Sequence, residues 1–400
     1  MSTWKNGQLL RTRDGREARV SFVELFFDLV YVFAVTQISH HLLGHLSVWG
    51  ALEALVLWFA VWLGWQYTAW VTNWFDPEKL QIRLMLFAVM GAGLMMAAAL
   101  PQAFEGRALV FALAYVAIQL GRTLFVLVSL GSRHPLAPNF QRMLCWLCIS
   151  ASFWVAGALV DGHARLAFWA VAVACEYFSP MAGFVFPGLG RSSTSDWTIE
   201  GGHLAERCQL FMIVALGESI LVTGASLSHH AHWDAPTVIA FLVAFLGSLA
   251  MWWVYFDTSS KDGSHAIAHS PDPGRMGAYF HYVHVTMVGG VIISAVASEL
   301  VIAHPDQPIT TTSAAVLIGG PLCYLIGNVL YKKAVYGRFP LSHLAGMAAL
   351  IVLAPLAYLT DLLMVGGLAA AVLVGVAAWE GCARRAPRTA LLEQHPGTGS

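Results

Sequence analysis

Glu24 and Asp28 sit four residues apart in "SFVELFFDLVYVFAVTQIS", residues 21–39, a stretch otherwise oily enough for lipid. At 3.6 residues per turn they share a helix face, which Tyr31 and Val35 continue. A carboxylate near the hydrocarbon centre costs roughly 2.5–3.5 kcal/mol on insertion scales, so two of them need cations, protons or water nearby. Their place in the first two turns offsets part of that cost, because the positive end of the helix dipole lies there. A second stretch, "HLAERCQLFMIVALGESILVTG" (203–224), carries complementary groups. His203, Arg207, Val214 and Glu218 fall on one of its faces, with Glu206 beside it. The internal repeat described below sets this stretch against the first, so Arg207 and His203 are the expected partners of Glu24 and Asp28. An interfacial first-turn acid paired with Arg19 or a neighbouring helix is the plainer reading of Glu24. Glu218 follows His203 by 15 residues, about 22 Å along a helix, which places it past the membrane midplane between Gly217 and Ser219. There it needs a cation, a proton or a water-filled cavity, and intramembrane acids of this kind point to ion or substrate binding.

Other polar residues lie in apolar surroundings. Arg122, near Gln119, must find an acid or line water. Asp76 and Asp257 end apolar segments where the helix dipole disfavours negative charge; Lys79 and Arg83 are cations near the first, and Pro77 also favours a plain helix-ending turn. His281 and His284 are three residues apart on one face, a spacing able to ligate a metal, although interhelical hydrogen bonding is the commoner role. Glu299 closes the same segment. Two histidine groups, His40, His41 and His45 in "SHHLLGH" and His229, His230 and His232 in "SHHAHWD", could bind zinc or copper or sense pH. Solvated interfacial histidines are the plainer reading of both.

The elements that hold these groups follow from composition. The 400 residues are 58% hydrophobic and 11% charged, with a mean hydropathy of +0.65, where a soluble domain carries about a quarter charged residues. The apolar runs are about 20 residues long, which predicts helices rather than the alternating strands of a barrel. Spans are expected near 21–43, 48–70, 80–100, 108–130, 141–160, 164–186, 203–226, 236–257, 279–301, 312–331, 341–360 and 362–381. The expected class is all-α, a polytopic membrane protein of about twelve transmembrane helices. All but Arg107, Arg122 and Arg165 of the 22 Lys and Arg fall in segments that lie inside when the N-terminus is cytoplasmic, so both termini are expected there. Residues 1–20 read as a retained cytoplasmic arm and 383–400 as a cytoplasmic tail. With a net charge of −1 the chain offers no basic footprint for nucleic acid; the expected partner is the lipid bilayer. Six Cys show no disulfide framework.

The chain also repeats itself. "VFAVTQ" (32–37) matches "IVALGE" (213–218), and the same offset carries "WFDP" (74–77) onto "YFDT" (255–258). Further on, "QLGRTLFVLVSLG" (119–131) matches "LIGNVLYKKAVYG" (325–337), which sets Gly131 on Gly337 and Arg122 on Asn328, and Asp161 pairs with Asp361. These matches predict two pseudo-symmetric six-helix halves, 21–200 and 201–382, inserted in the same direction as in some transporters.

The motifs "ELFFDLVYVFA", "HLAERCQLFMIVALGES" and "H…GVI…E" resemble the bacterial low temperature requirement A (LtrA) family over essentially the whole chain. The resemblance picks out Glu24, Phe26, Phe27, Asp28, His203, Glu206, Arg207, Gly217, Glu218 and Ser219, together with His284 and Glu299. Gln209 stands where the family commonly has Gly. It implies a multi-pass protein of a bacterial inner membrane, named for a growth phenotype in the cold, and brings no reaction or substrate. Three functions fit the residues: a secondary transporter with a charged site between the first and seventh spans, a membrane redox or metal enzyme using His281 and His284, and a non-catalytic membrane sensor. The transporter leads. No Walker, GxSxG or HExxH motif occurs, and no cofactor is expected.

Overall fold

In the computed structural model, which describes residues 9–13, 19–197, 199–230, 232–257, 260–268 and 270–394, the apolar segments fold as helices and no strand forms among those residues. The helices are α1 (Phe22–Gly44), α2 (Val48–Trp74), α3 (Leu80–Ala99), α4 (Ala108–Leu130), α5 (Ala137–Ala158), α6 (Gly162–Met181), α7 (Gly201–Ser228), α8 (Ala235–Trp252), α9 (Ser260–Ala268), α10 (Pro273–Ala303), α11 (Thr311–Tyr336), α12 (Leu341–Leu356) and α13 (Leu362–Gln394). Among the described residues, 10 helices are long and apolar enough to cross a membrane. The protein is thus an all-α, multi-pass membrane protein. With 22 and 20 residues, α5 and α6 also have spanning length but carry more polar side chains.

Local chemistry sets the boundaries. Asp234 caps α8 by accepting from the Thr237 N–H at 2.9 Å, and Asp361 caps α13 by accepting from the Met364 N–H at 2.8 Å. Gly131 and Gly337 end α4 and α11 at positive φ, 72° and 71°, which glycine adopts without Cβ strain; Gly337 closes its helix in the left-handed conformation, Gly131 with an extended ψ. Three departures from the expected spans stand out. The expected span 236–257 ends in a π-helical turn, Trp253–Asp257, and the nine-residue α9 forms in a Gly-, Ser- and Asp-containing stretch that lies outside the expected spans. The first turns of α10 begin at Pro273, ahead of the expected 279, because proline suits the first helical position. The helical backbone of α13 continues to Gln394, past residue 382, through a segment rich in Ala, Arg and Leu.

The described residues form two compact units, one within Met1–Val214 and Ser264–Tyr282, the other within Ala215–Gly263 and Val283–Ser400. In the first, α1 packs on α2 and α3, consecutive helices from α3 to α6 pack in turn, and α2 packs on α4 and α6. In the second, α8 packs on α13 while α11, α12 and α13 pack on one another. On α1 the face of Glu24, Asp28, Tyr31 and Val35 is buried, whereas Phe22, Phe26, Leu29 and Phe33 are exposed on the other side. A helix with its acids turned inward and three of its four phenylalanines outward is what lipid demands. Residues of the N-terminal arm dock on the end of α2: the Arg11 N–H donates to Trp74 O at 2.8 Å, and the Asp76 N–H donates to Leu9 O at 2.9 Å.

Candidate functional site

The first unit buries a charge cluster between α1, α2 and the N-terminal half of α7. Arg207 Nη2 donates to Asp28 Oδ1 at 2.5 Å, and Arg207 Nη1 donates to Glu24 Oε1 at 3.1 Å. His203 Nε2 meets Glu24 Oε1 at 2.9 Å, and Arg11 Nη2 donates to Glu24 Oε2 at 3.0 Å. Glu24, Asp28, His203 and Arg207 are all buried. The spacing explains the fit. Acids at 24 and 28 on α1 and nitrogen donors at 203 and 207 on α7 repeat every four residues, so one helix face reads against the other. Two guanidinium groups face two carboxylates, and the Arg207 guanidinium also lies 5.8 Å from the Phe27 and Trp65 ring centres. Breaking such a cluster costs more than assembling it returns, about 3–5 kcal/mol for an orphaned buried charge.

Each member is held by its own helix start or by a neighbour. Glu24 lies at the third position of α1, and its Oε2 accepts from the Ser21 N–H at 2.9 Å, which ties the carboxylate to the helix entrance. Glu200 caps α7, accepting from the His203 N–H at 2.6 Å and the Gly202 N–H at 3.1 Å. Asn73 fixes the histidine. Its Oδ1 accepts from the Glu200 N–H at 2.8 Å, so its Nδ2 must face Glu200 O at 2.8 Å and His203 Nδ1 at 3.2 Å. An amide donating to Nδ1 leaves the ring hydrogen on Nε2, directed at Glu24. Arg11 Nη2 comes within 3.2 Å of that same Nε2, and Glu24, accepting from both donors, holds them together. Trp65 Nε1 donates to Asp28 Oδ1 at 2.7 Å.

Asp28 is unevenly satisfied. Its Oδ1 carries both Trp65 and Arg207, while its buried Oδ2 has no hydrogen-bond partner among the described residues, nor does the buried Nε of Arg207 or the Tyr31 hydroxyl. An acid with one oxygen anchored and the other open can take a proton or a small cation without losing its anchor. Native structures rarely leave such atoms unpaired.

The remaining predicted residues are distributed more widely. Glu206 Oε2 accepts from the Val20 N–H at 3.2 Å, so it joins the edge of the same site. Arg122 stays in the first unit but bonds elsewhere, to Gly64 O, Thr68 Oγ1 and Gln119 Oε1. Glu218 belongs to the second unit, where it is buried beside Ser219. His281 touches Trp70 Nε1 at 3.4 Å and packs near the Trp62 and Trp65 rings; His284 Nε2 pairs with the Tyr255 hydroxyl at 2.6 Å. Asp76 accepts from the Glu78 N–H at 3.0 Å and faces Lys79 at 3.8 Å, while Arg83 pairs with Glu78 instead. Asp257 ends the π-helical turn, and Glu299 is half-buried on α10. Among the histidine groups, His41 faces Glu53 at 3.3 Å and stacks on His45, whose Nδ1 turns to His41 O, while His40 is exposed. His230 Nδ1 turns to Ser226 O, and His229 and His232 lie at the loop after α7. Among the described residues no group of three or more His, Cys, Asp or Glu is arranged to hold a metal ion.

Sequence reasoning missed Arg11, Trp65, Asn73 and Glu176. Glu176 of α6 is buried and accepts from the Tyr115 hydroxyl at 2.5 Å, Gln119 Nε2 at 2.9 Å, Ser150 Oγ at 2.8 Å and Trp154 Nε1 at 3.0 Å. A signal was present: an acid inside a span, and two pairs of donors each four residues apart on α4 and α5.

The bacterial low temperature requirement A protein (LtrA) family matches residues 19–378. A Rhizobium meliloti (strain 1021) protein described as "Uncharacterized protein RA0937" is 37% identical over 374 residues, covering 93% of this chain and 91% of its own length. No solved structure matches the chain. With the buried acids of α1, the His-x-x-Glu-Arg opening of α7 and a match over nearly its whole length, the chain belongs to the bacterial low temperature requirement A family.

Proposed function

We propose that this protein is a secondary transporter of the cell membrane, in which the Glu24–Asp28–Arg207 cluster exchanges a proton or a monovalent cation. The observation that carries the reading is the open Oδ2 of Asp28, buried beside an anchored Oδ1. Binding there lowers the negative charge facing Arg207, which weakens the tie between α1 and α7 and couples occupancy to helix position. Ionisable groups placed this way inside spans mark ion pathways far more often than lipid contacts. Glu218, buried in the second unit, is a separate candidate for proton or cation binding.

Duplication of two six-helix halves is part of the proposal. In support, Gly131 and Gly337, paired by the repeat, both end their helices at a positive φ, although only Gly337 takes the left-handed helical conformation. The packing of α8 on α13 parallels that of α2 on α6, the corresponding pair. The Lys and Arg distribution supports a cytoplasmic location for both termini. Proton and cation flux into proteoliposomes tests the assignment, with wild type compared against Asp28→Asn and Glu218→Gln. Loss of flux in Asp28→Asn is expected, since the amide keeps the Oδ1 bonds and removes the exchangeable oxygen. Equal flux in all three proteins rejects it.

A further inference from the structure

The first unit holds a separate cavity. A cavity of about 70 Å³ opens among Trp70, Trp74, Trp197 and Tyr282, with Gln66 and Arg122 in its wall; Glu24, Asp28, His203 and Arg207 do not line it. Two of its wall groups have unused capacity. Gln66 is buried, and its Oε1 has no hydrogen-bond partner among the described residues. Arg122 is 1% exposed, and its hydrogen bonds go to neutral acceptors: Gly64 O, Thr68 Oγ1 and Gln119 Oε1. A guanidinium has five N–H donors, so two remain. Glu176 is reached only through the Gln119 amide, whose Nε2 donates to it at 2.9 Å. A buried cation and a buried amide with an unpaired acceptor, both in the wall of one aromatic chamber, form a two-point recognition element of the kind small-molecule sites use.

The chamber also sets a size. A water-sized group needs about 10–15 Å³ by this measure, so roughly five to seven such groups fit. Water alone leaves Arg122 without a directly bonded acid, and chloride leaves Gln66 Oε1 unmet. A ligand that answers both carries an anionic group and a hydrogen-bond donor.

We propose that this cavity binds a short-chain carboxylate bearing a hydroxyl or amino group, with its carboxylate on Arg122, its donor on Gln66 Oε1 and its carbons against the tryptophans. The proposal does not depend on the reading of Asp28. Equilibrium dialysis of the detergent-solubilised full chain against radiolabelled L-lactate tests it, with propionate and chloride as competitors. Saturable binding of one lactate per chain is expected. Propionate, which lacks the hydroxyl, competes about tenfold more weakly. Arg122→Gln weakens binding about tenfold to a hundredfold. Ala278→Leu, which narrows the cavity and leaves both polar groups in place, abolishes it even if Arg122→Gln fails to fold. Asp28→Asn binds lactate as the wild type does. Absence of saturable binding, or binding kept by Ala278→Leu, overturns the proposal. Propionate equal to lactate overturns the role of Gln66, and chloride competing as well as either carboxylate reduces the cavity to an adventitious anion site.

Discussion

Replacing Arg207 by Met tests the buried cluster most severely. The change keeps roughly the volume of the side chain but removes the donors at 2.5 Å from Asp28 and 3.1 Å from Glu24. The two acids are not equally exposed to the loss. Glu24 retains Arg11 at 3.0 Å, His203 at 2.9 Å and the Ser21 N–H at 2.9 Å. Asp28 retains only Trp65 Nε1 at 2.7 Å, with Oδ2 already unpartnered. The cost is therefore that of one orphaned buried carboxylate, about 3–5 kcal/mol. Asp28→Asn alone costs about 1–2 kcal/mol, because the amide oxygen still accepts from Trp65 and Arg207 while Arg207 keeps Glu24. In Arg207→Met/Asp28→Asn no charge is stranded at position 28, and the double variant recovers about 2 kcal/mol or more relative to Arg207→Met. Reversible unfolding of the full chain by SDS in mixed micelles measures all four proteins. A loss below about 1 kcal/mol for Arg207→Met, or no recovery in the double variant, refutes the reasoning.

Three further outcomes follow from the same geometry. Glu176→Gln destabilises by about 2–4 kcal/mol in the same assay, because an NH₂ group then faces donors, and Gln119 cannot turn over while Arg122 holds its Oε1. Asn73→Leu costs about 1–3 kcal/mol by leaving the Glu200 N–H and carbonyl unpaired, and it frees the His203 ring, which nitrogen-15 imidazole spectra report as a mixture of tautomers. In the loop before α10, Thr194 Oγ1 and the Arg275 N–H donate to Asp272 and hold its carboxyl below the usual range. A depressed folded value means stability present above the unfolded value of about 3.9 and lost as pH falls through the folded one. Asp272→Ala accordingly costs no more than about 1 kcal/mol at pH 7, the carboxylate being solvent-screened, and its difference from wild type shrinks as the solution is acidified.

Much of this arrangement was legible in the residues. Helix positions followed from apolar length, and the pairing of α1 with α7 followed from acids and nitrogen donors sharing a four-residue spacing. Charges inside spans are scarce, so each one narrows the choice of partner. Arg11 was not legible because it lies in a polar arm, where an arginine is ordinary. Asn73 and Trp65 are neutral and far from their partners in sequence, and nothing in a polar or aromatic residue on an apolar helix says which neighbour it will meet. Glu176 was visible as an acid in a span, but its four donors are uncharged and offered no complementary sign. The short α9 escaped because Gly, Ser and Asp mask a single helical turn or two. Arg122 was expected to find an acid; it reaches Glu176 through Gln119, a relay that pairwise charge matching does not anticipate.

The account rests on Asp28 taking up and releasing a proton or cation at its open oxygen. Infrared difference spectra of aspartate-labelled protein, recorded between acid and alkaline buffer and between sodium-containing and sodium-free buffer, observe that carboxyl directly. The account predicts a carboxyl band that changes in at least one of these exchanges and vanishes in Asp28→Asn. Spectra identical for wild type and Asp28→Asn under both exchanges contradict it.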